Sequence, residues 1–205
     1  SLSTISCFIV LSAAEIFLRV AYPQPIGPCP SILVDSLGSI PVPYQSGRRV
    51  IPGVYDYRYT NDENGLRVTE VPGAKIRTNV LRILLLGDSM TYGIGVNDHE
   101  TFAYHIEESF TTEGKNVDVI NGGSSGKGTD YAVRFYEVLG HQWKPHTVAL
   151  CFFANDFSDN GREEYYQLSS TGELQPRYLA YHESKRTFYE IPFYSWLISW
   201  SHLAN

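Results

Sequence analysis

Cysteine is scarce in this chain, and cationic side chains are outnumbered. Three cysteines, Cys7, Cys29 and Cys151, stand among 205 residues. Their spacing matches neither a metal-ligand set nor a disulfide framework. Cys151 lies in an apolar run and reads as a small buried hydrophobe. Lys and Arg total 16 against 22 Asp and Glu, a net charge of −6. With no basic cluster to offset it, that balance argues against nucleic acid as a partner. Neither a Walker-type loop nor metal-ligand spacing is present, so no cofactor is implied. Internal repeats and low-complexity tracts are also missing. What remains is an ordinary globular composition, at a length suited to one domain plus an appendage.

The first seventeen residues after Ser1, Leu2 to Leu18, are apolar or small except for Glu15. As a helix they would span about 25 Å, slightly short of a bilayer core. Glu15 and Arg19 stand four apart and can pair near the aqueous boundary. Residues 1–22 therefore read as a membrane anchor or signal-anchor helix, with a cleavable signal peptide or a buried amphipathic helix as alternatives. Residues 23–80 read as a linker and lead-in hairpin. Pro, Gly and Ser interrupt regular structure up to Gly53, and Val54 to Thr60 then alternates as a half-exposed strand. Asn61-Asp62-Glu63-Asn64-Gly65 is a turn, and no chemistry attaches to it.

From residue 81 onward, strand and helix alternate. Arg82 to Leu86 is a short apolar run, too short for a membrane and typical of a buried parallel strand. A helix capped by Asn97 or Asp98 runs to about Thr112, with Phe102, Ala103, Ile106 and Phe110 as its apolar stripe, and Gly114 ends it. Val117 to Ile120 is a second strand. A glycine-rich loop, 121–128, leads to a helix from Thr129 to about Trp143. His146 to Phe153 is a third strand. This order predicts a parallel, doubly wound α/β sheet. Further on, Tyr165 to Leu168 and Leu174 to Leu179 read as an inserted hairpin. Ile191 to Asn205 reads as an apolar helix that belongs to the core or covers the site.

Three strand ends carry the groups that acyl transfer requires: a nucleophile and preorganised donors for an oxyanion. Gly87-Asp88-Ser89 ends the first strand in a sharp turn, offering Ser89 as the nucleophile. Gly126 can present a backbone N–H, and Asn155 a side-chain amide. Each also has a plain structural explanation, as a helix cap, a loop residue or a turn.

Taken in order, these residues resemble the SGNH (GDSL) hydrolases. Gly87-Asp88-Ser89 is similar to that family's first block. Asn121 followed five residues later by Gly126 is similar to the second, and Ala154-Asn155-Asp156 to the third, with Phe153 where the family carries glycine. The resemblance covers about Arg82 to Asn160. Asn64-Gly65-Leu66-Arg67 is similar to a segment preceding the core in membrane-anchored members. The resemblance implies a flavodoxin-like three-layer fold, incomplete at the C-terminus, with residues 81–205 as the hydrolase domain. It also implies Ser89 as catalytic nucleophile and Gly126 and Asn155 as the oxyanion hole.

The family's Asp-x-x-His block is not found: none of His99, His105, His141, His146, His182 and His202 follows an aspartate by three positions. The first four read as surface or capping residues. Because the chain starts at Ser1 and stops within an apolar stretch, both ends read as cuts, which puts the acid–base pair beyond Asn205 and makes the fragment inactive. The expected function is a serine ester hydrolase acting on carbohydrate acetyl, lipid or other acyl esters. A small-molecule or glycan ester is the partner, and the N-terminal helix holds the domain to an extracytoplasmic membrane face. An O-acyltransferase of the same fold, or a non-catalytic envelope module that binds glycan, are the alternatives.

Overall fold

The structure is a computed structural model describing residues 2–26, 31–34, 36–71, 80–163, 165–177 and 201. Leu2–Ala21 forms α1, a helix of 20 residues, about 30 Å long at 1.5 Å per residue. It is long and apolar enough to cross a membrane, and its apolar window is not buried against the rest of the protein. Phe8, Val10 and Val20 are all exposed. Arg19 and Glu15 pair at 2.8 Å, as their spacing predicts. The other Glu15 oxygen accepts a bond from Ser201 Oγ at 2.9 Å.

Two antiparallel pairs follow. Ser31–Val34 (β1) pairs with Gly38–Pro41 (β2), and Ser46–Ile51 (β3) pairs with Tyr55–Thr60 (β4) along its whole length. Strands thus occupy a stretch whose Pro, Gly and Ser content suggests irregular chain. The prolines account for the difference. Pro41 closes β2, and Pro43 and Pro52 fall in turns, so they punctuate strands rather than prevent them. In β4 the expected alternation holds: Tyr57 and Tyr59 are buried while Asp56 and Arg58 are exposed. In the turn beyond it, the Asp62 carboxylate accepts the N–H groups of Asn64 and Leu66 at 2.8 and 2.9 Å.

The α/β core begins with Leu81–Gly87 (β5), followed by the four-residue helix Ser89–Tyr92 (α2) and Phe102–Thr112 (α3). Val117–Gly123 is β6, Thr129–Val138 is α4 and Thr147–Cys151 is β7. All three strands are parallel, in the order β6-β5-β7. Side chains alternate across a strand, and β5 sends its two faces into two cores. Leu85 packs with Ala103, Val117, Val119, Ile106 and Phe110 beneath α3. Leu84 and Leu86 pack with Tyr131, Ala132 and Phe135 beneath α4. One helix on each face makes a doubly wound, three-layer α/β arrangement, as the alternation predicts.

Several local boundaries differ. Thr101, not Asn97 or Asp98, caps α3 by accepting the Tyr104 N–H; residues 98–100 form a separate 3₁₀ turn. Phe102 faces solvent rather than joining the α3 stripe. The helix from Thr129 stops at Val138, and a 3₁₀ turn at Gly140–Trp143 completes the span. Asp156–Glu163 (α5) then precedes an antiparallel pair, Tyr166–Leu168 (β8) and Leu174–Pro176 (β9). The hairpin forms with a shorter second strand than the sequence suggests. The helix expected over 191–205 lies outside the described residues apart from Ser201.

Candidate active site at the carboxyl ends of the sheet

The chain runs from β5 out to β6 on one side, then crosses to β7 on the other. In open α/β sheets a crevice opens at the carboxyl ends where the winding reverses, and ligands bind there. Here the reversal lies between β5 and β7. Register puts the last residue of β5, Gly87, level with Gly123 of β6 and Cys151 of β7. Ser89 comes two residues after Gly87, Gly126 three after Gly123, and Asn155 four after Cys151. The three sequence-predicted residues therefore leave three adjacent strand ends.

Ser89 is the first residue of α2 and is partly exposed. Asp88 is the cap, its side chain accepting the Met90 N–H at 2.9 Å. Capping thus explains Asp88 but not Ser89. Gly87 is needed for space rather than for a turn. It carries no positive φ, yet a Cβ there would lie 2.2 Å from Thr91 Oγ1 and 2.8 Å from the Cys151 carbonyl oxygen. Gly87 is the last residue of β5, and the chain turns into α2 across Asp88.

Gly126 adopts φ +70°, a left-handed conformation that favours glycine. Its loop is tied down on both sides. The Ser124 N–H donates to the Gly87 carbonyl at 3.0 Å. Lys127, buried, donates to the Tyr165 hydroxyl at 2.8 Å and lies over the Tyr131 and Tyr165 rings. The Tyr165 hydroxyl in turn donates to the Leu37 carbonyl. Asn160 of α5 accepts from the Asp130 N–H and so caps α4, joining the third loop to the second.

Asn155 precedes α5, and its Nδ2 donates to Asp159 Oδ2 at 2.8 Å. Asp156 is fully buried, with one oxygen accepting the Phe153 N–H at 3.3 Å. Burial pushes its carboxyl up from the ordinary range. The Phe153 N–H opposes this, and the charges of Asp88 and Asp159 add to it. Burial also raises the Cys151 thiol. Cys151 is half-buried against the α3 core rather than fully enclosed. Among the described residues, the buried side-chain atoms without a hydrogen-bond partner are Asp88 Oδ2, Thr91 Oγ1, Asn155 Oδ1 and Asp156 Oδ1. All four belong to the segments leaving β5 and β7. Orphaned buried polar atoms are costly, and these four lie just beyond the carboxyl ends of β5 and β7.

The segment just after the lead-in turn is tied to the loop that follows β5. Arg67 has a fully buried side chain. It pairs with Asp98, donates to the carbonyls of Gly93, Arg58 and Val96, and lies over the rings of Tyr57 and Tyr92. The Tyr92 hydroxyl donates to Asn61 at 2.8 Å, so α2, which carries Ser89, is clamped to the lead-in hairpin. Asn121 Nδ2 donates to the Thr91 carbonyl and its Oδ1 accepts the Gly123 N–H. The one signal in the sequence was the resemblance of Asn64-Gly65-Leu66-Arg67 to a segment found ahead of such cores.

The four described histidines are exposed and engaged elsewhere. His105 meets Glu108, His141 the Tyr136 carbonyl, His146 the Arg82 N–H, and His99 the Tyr104 ring. His182 and His202 lie outside the described residues. Among the described residues no cluster of three or more His, Cys, Asp or Glu side chains could hold a metal ion. A cavity of about 730 Å³ runs beside β6, with Glu70, Arg82, Asp118 and Lys144 in its lining, and none of the three predicted site residues lines it.

No protein-family model matches the chain, and no curated protein matches it. Among solved structures it is similar to the psychrotrophic esterase EstA from Pseudoalteromonas sp., determined in a form inhibited by monoethylphosphonate. The two are 27% identical over the match, with a TM-score of 0.35. The match spans 38% of this chain and 43% of the esterase, less than half of either.

Proposed function

We propose that the chain carries the nucleophile and oxyanion side of a serine ester hydrolase of the SGNH (GDSL) type. The observation that carries this reading is the convergence of Ser89, Gly126 and Asn155 on neighbouring strand ends at the winding reversal. The orphaned oxygens in the same crevice agree with it. Ser89 Oγ attacks the acyl carbonyl, and a base takes its proton, because a serine hydroxyl is otherwise a weak nucleophile at neutral pH. The negative charge that builds on the carbonyl oxygen is met by the Gly126 N–H and the Asn155 amide. Collapse expels the alcohol and leaves an acyl-serine, which water then hydrolyses. The base is none of the four described histidines. The substrate is a carbohydrate acetyl, lipid or related acyl ester.

In the full-length protein, Ser89→Ala should abolish turnover of p-nitrophenyl acetate and remove labelling by a fluorophosphonate. Activity that survives this substitution would sink the assignment. The proposal extends to location. An exposed apolar α1 supports a membrane tether, and the proposed domain lies on the outer face. Expressed with its native start, the protein should fractionate with membranes and resist carbonate extraction; recovery in the soluble fraction would overturn the tether.

A further inference from the structure

The Asn155 amide is held in an orientation that helix capping does not explain. Asn155 stands immediately before α5, where an asparagine ordinarily turns its side-chain oxygen onto a backbone N–H of the first turn. Here that oxygen is buried and has no partner among the described residues. The nitrogen donates instead to Asp159 Oδ2, one helical turn on, at 2.8 Å. An unpaired buried oxygen is costly. The charge-assisted bond to Asp159 is the contact that offsets it, such bonds being roughly twice as strong as neutral ones.

Asp159 is itself well fixed. It is 5% exposed, its backbone N–H donates to the Asn155 carbonyl at 3.0 Å, and its other carboxylate oxygen pairs with Arg162 Nε at 3.1 Å. Arg162 in turn reaches the second loop: its Nη1 lies 3.3 Å from where a Cβ on Gly126 would be. A line of contacts thus runs from Asn155 through Asp159 and Arg162 to Gly126. An amide nitrogen carries two hydrogens, and Asp159 takes one.

We propose that Asp159 is a positioning residue: it turns the Asn155 amide so that the second N–H is presented to the oxyanion, with Arg162 holding the carboxylate in place. This rests on the role given to Asn155 above. Preorganised donors act only when aimed where charge develops, and small misplacements can cost up to about 10²-fold in rate.

A double-mutant cycle on p-nitrophenyl acetate hydrolysis by the full-length protein tests it. Asp159→Ala should lower kcat by about 10–10²-fold with KM little changed. Asp159→Asn, whose oxygen still accepts the bond, should recover most of that loss. In an Asn155→Ala background, Asp159→Ala should cause no further fall in kcat, because the amide it orients is gone. Asp159→Leu, which fills the buried volume without accepting a bond, serves the cycle if the alanine variant does not fold. Losses that multiply in the double variant, or an Asp159→Ala enzyme with unchanged kcat, overturn the positioning role and leave the oxyanion reading intact. An Asn155→Ala enzyme with unchanged kcat removes both.

Discussion

Two buried polar clusters lie on either side of α2, and they are built on opposite terms. Around Arg67 every guanidinium nitrogen is satisfied, by Asp98 and three backbone carbonyls, with aromatic rings on the guanidinium faces. Around Asp88, Asn155 and Asp156 one oxygen of each side chain is left without a partner. A satisfied cluster holds structure together, since removing a member strands the others. An unsatisfied one carries a standing cost that a purely structural site has no reason to keep. The difference is between a cluster whose hydrogen bonds are complete and one whose bonds are not.

Three substitutions can break or sharpen that contrast. The largest effect is expected from Arg67→Ala. Its removal takes the guanidinium away from Asp98 and from the Gly93, Arg58 and Val96 carbonyls, and should cost roughly 3–5 kcal/mol of stability in a urea melt. A loss below about 1 kcal/mol would mean the clamp is not structural. Next comes Asn155→Ala, which should lower kcat by about 10²–10³, or roughly 2.7–4 kcal/mol of transition-state stabilisation. Its effect on stability should stay below that of Arg67→Ala, because its oxygen has no partner and one bond, to Asp159 Oδ2, is lost. The reverse pattern, an unstable protein with normal kcat when folded, would move Asn155 to the scaffold side.

The smallest effect is expected from Asp156→Asn. Burial raises the folded-state carboxyl above its ordinary value of 3.8, so the protonated form is favoured by folding. Its contribution to stability is fully present below that ordinary value and is lost as pH rises through the raised folded value. Asparagine cannot ionise, so the variant should lack this decline and be the more stable protein above the window. Parallel pH–stability curves for the two proteins would contradict the burial argument.

The parallel core was legible in the sequence because its signals are local. The run from Ile83 to Leu86 is apolar on both faces, and helices at regular distances force a parallel sheet. The positions of Ser89, Gly126 and Asn155 at strand ends follow from the same pattern. Other features were hidden because their causes are distant in sequence. Arg67 looks like an ordinary turn residue until Gly93, Val96 and Asp98 come to it across some thirty positions. Strands β1 to β3 are short and bounded by Pro and Gly, so composition outweighs their periodicity. Phe102 fits the helical stripe by spacing, yet Thr101 starts the helix and turns Phe102 outward. Asp159 gives no signal at all, since a carboxylate in a first helical turn is ordinary dipole chemistry.

One consequence follows from the way the lead-in segment meets the sheet. Arg67 bridges Asn121, and the Thr69 hydroxyl donates to the Val119 carbonyl, so the outer flank of β6 is already occupied. Among the described residues β7 pairs only with β5, and Val148 and Leu150 are exposed along it. Growth of this sheet is therefore directional. Any strand added in parallel, from this chain or another, must enter beside β7, and its carboxyl end then arrives next to Asn155 rather than next to Gly126.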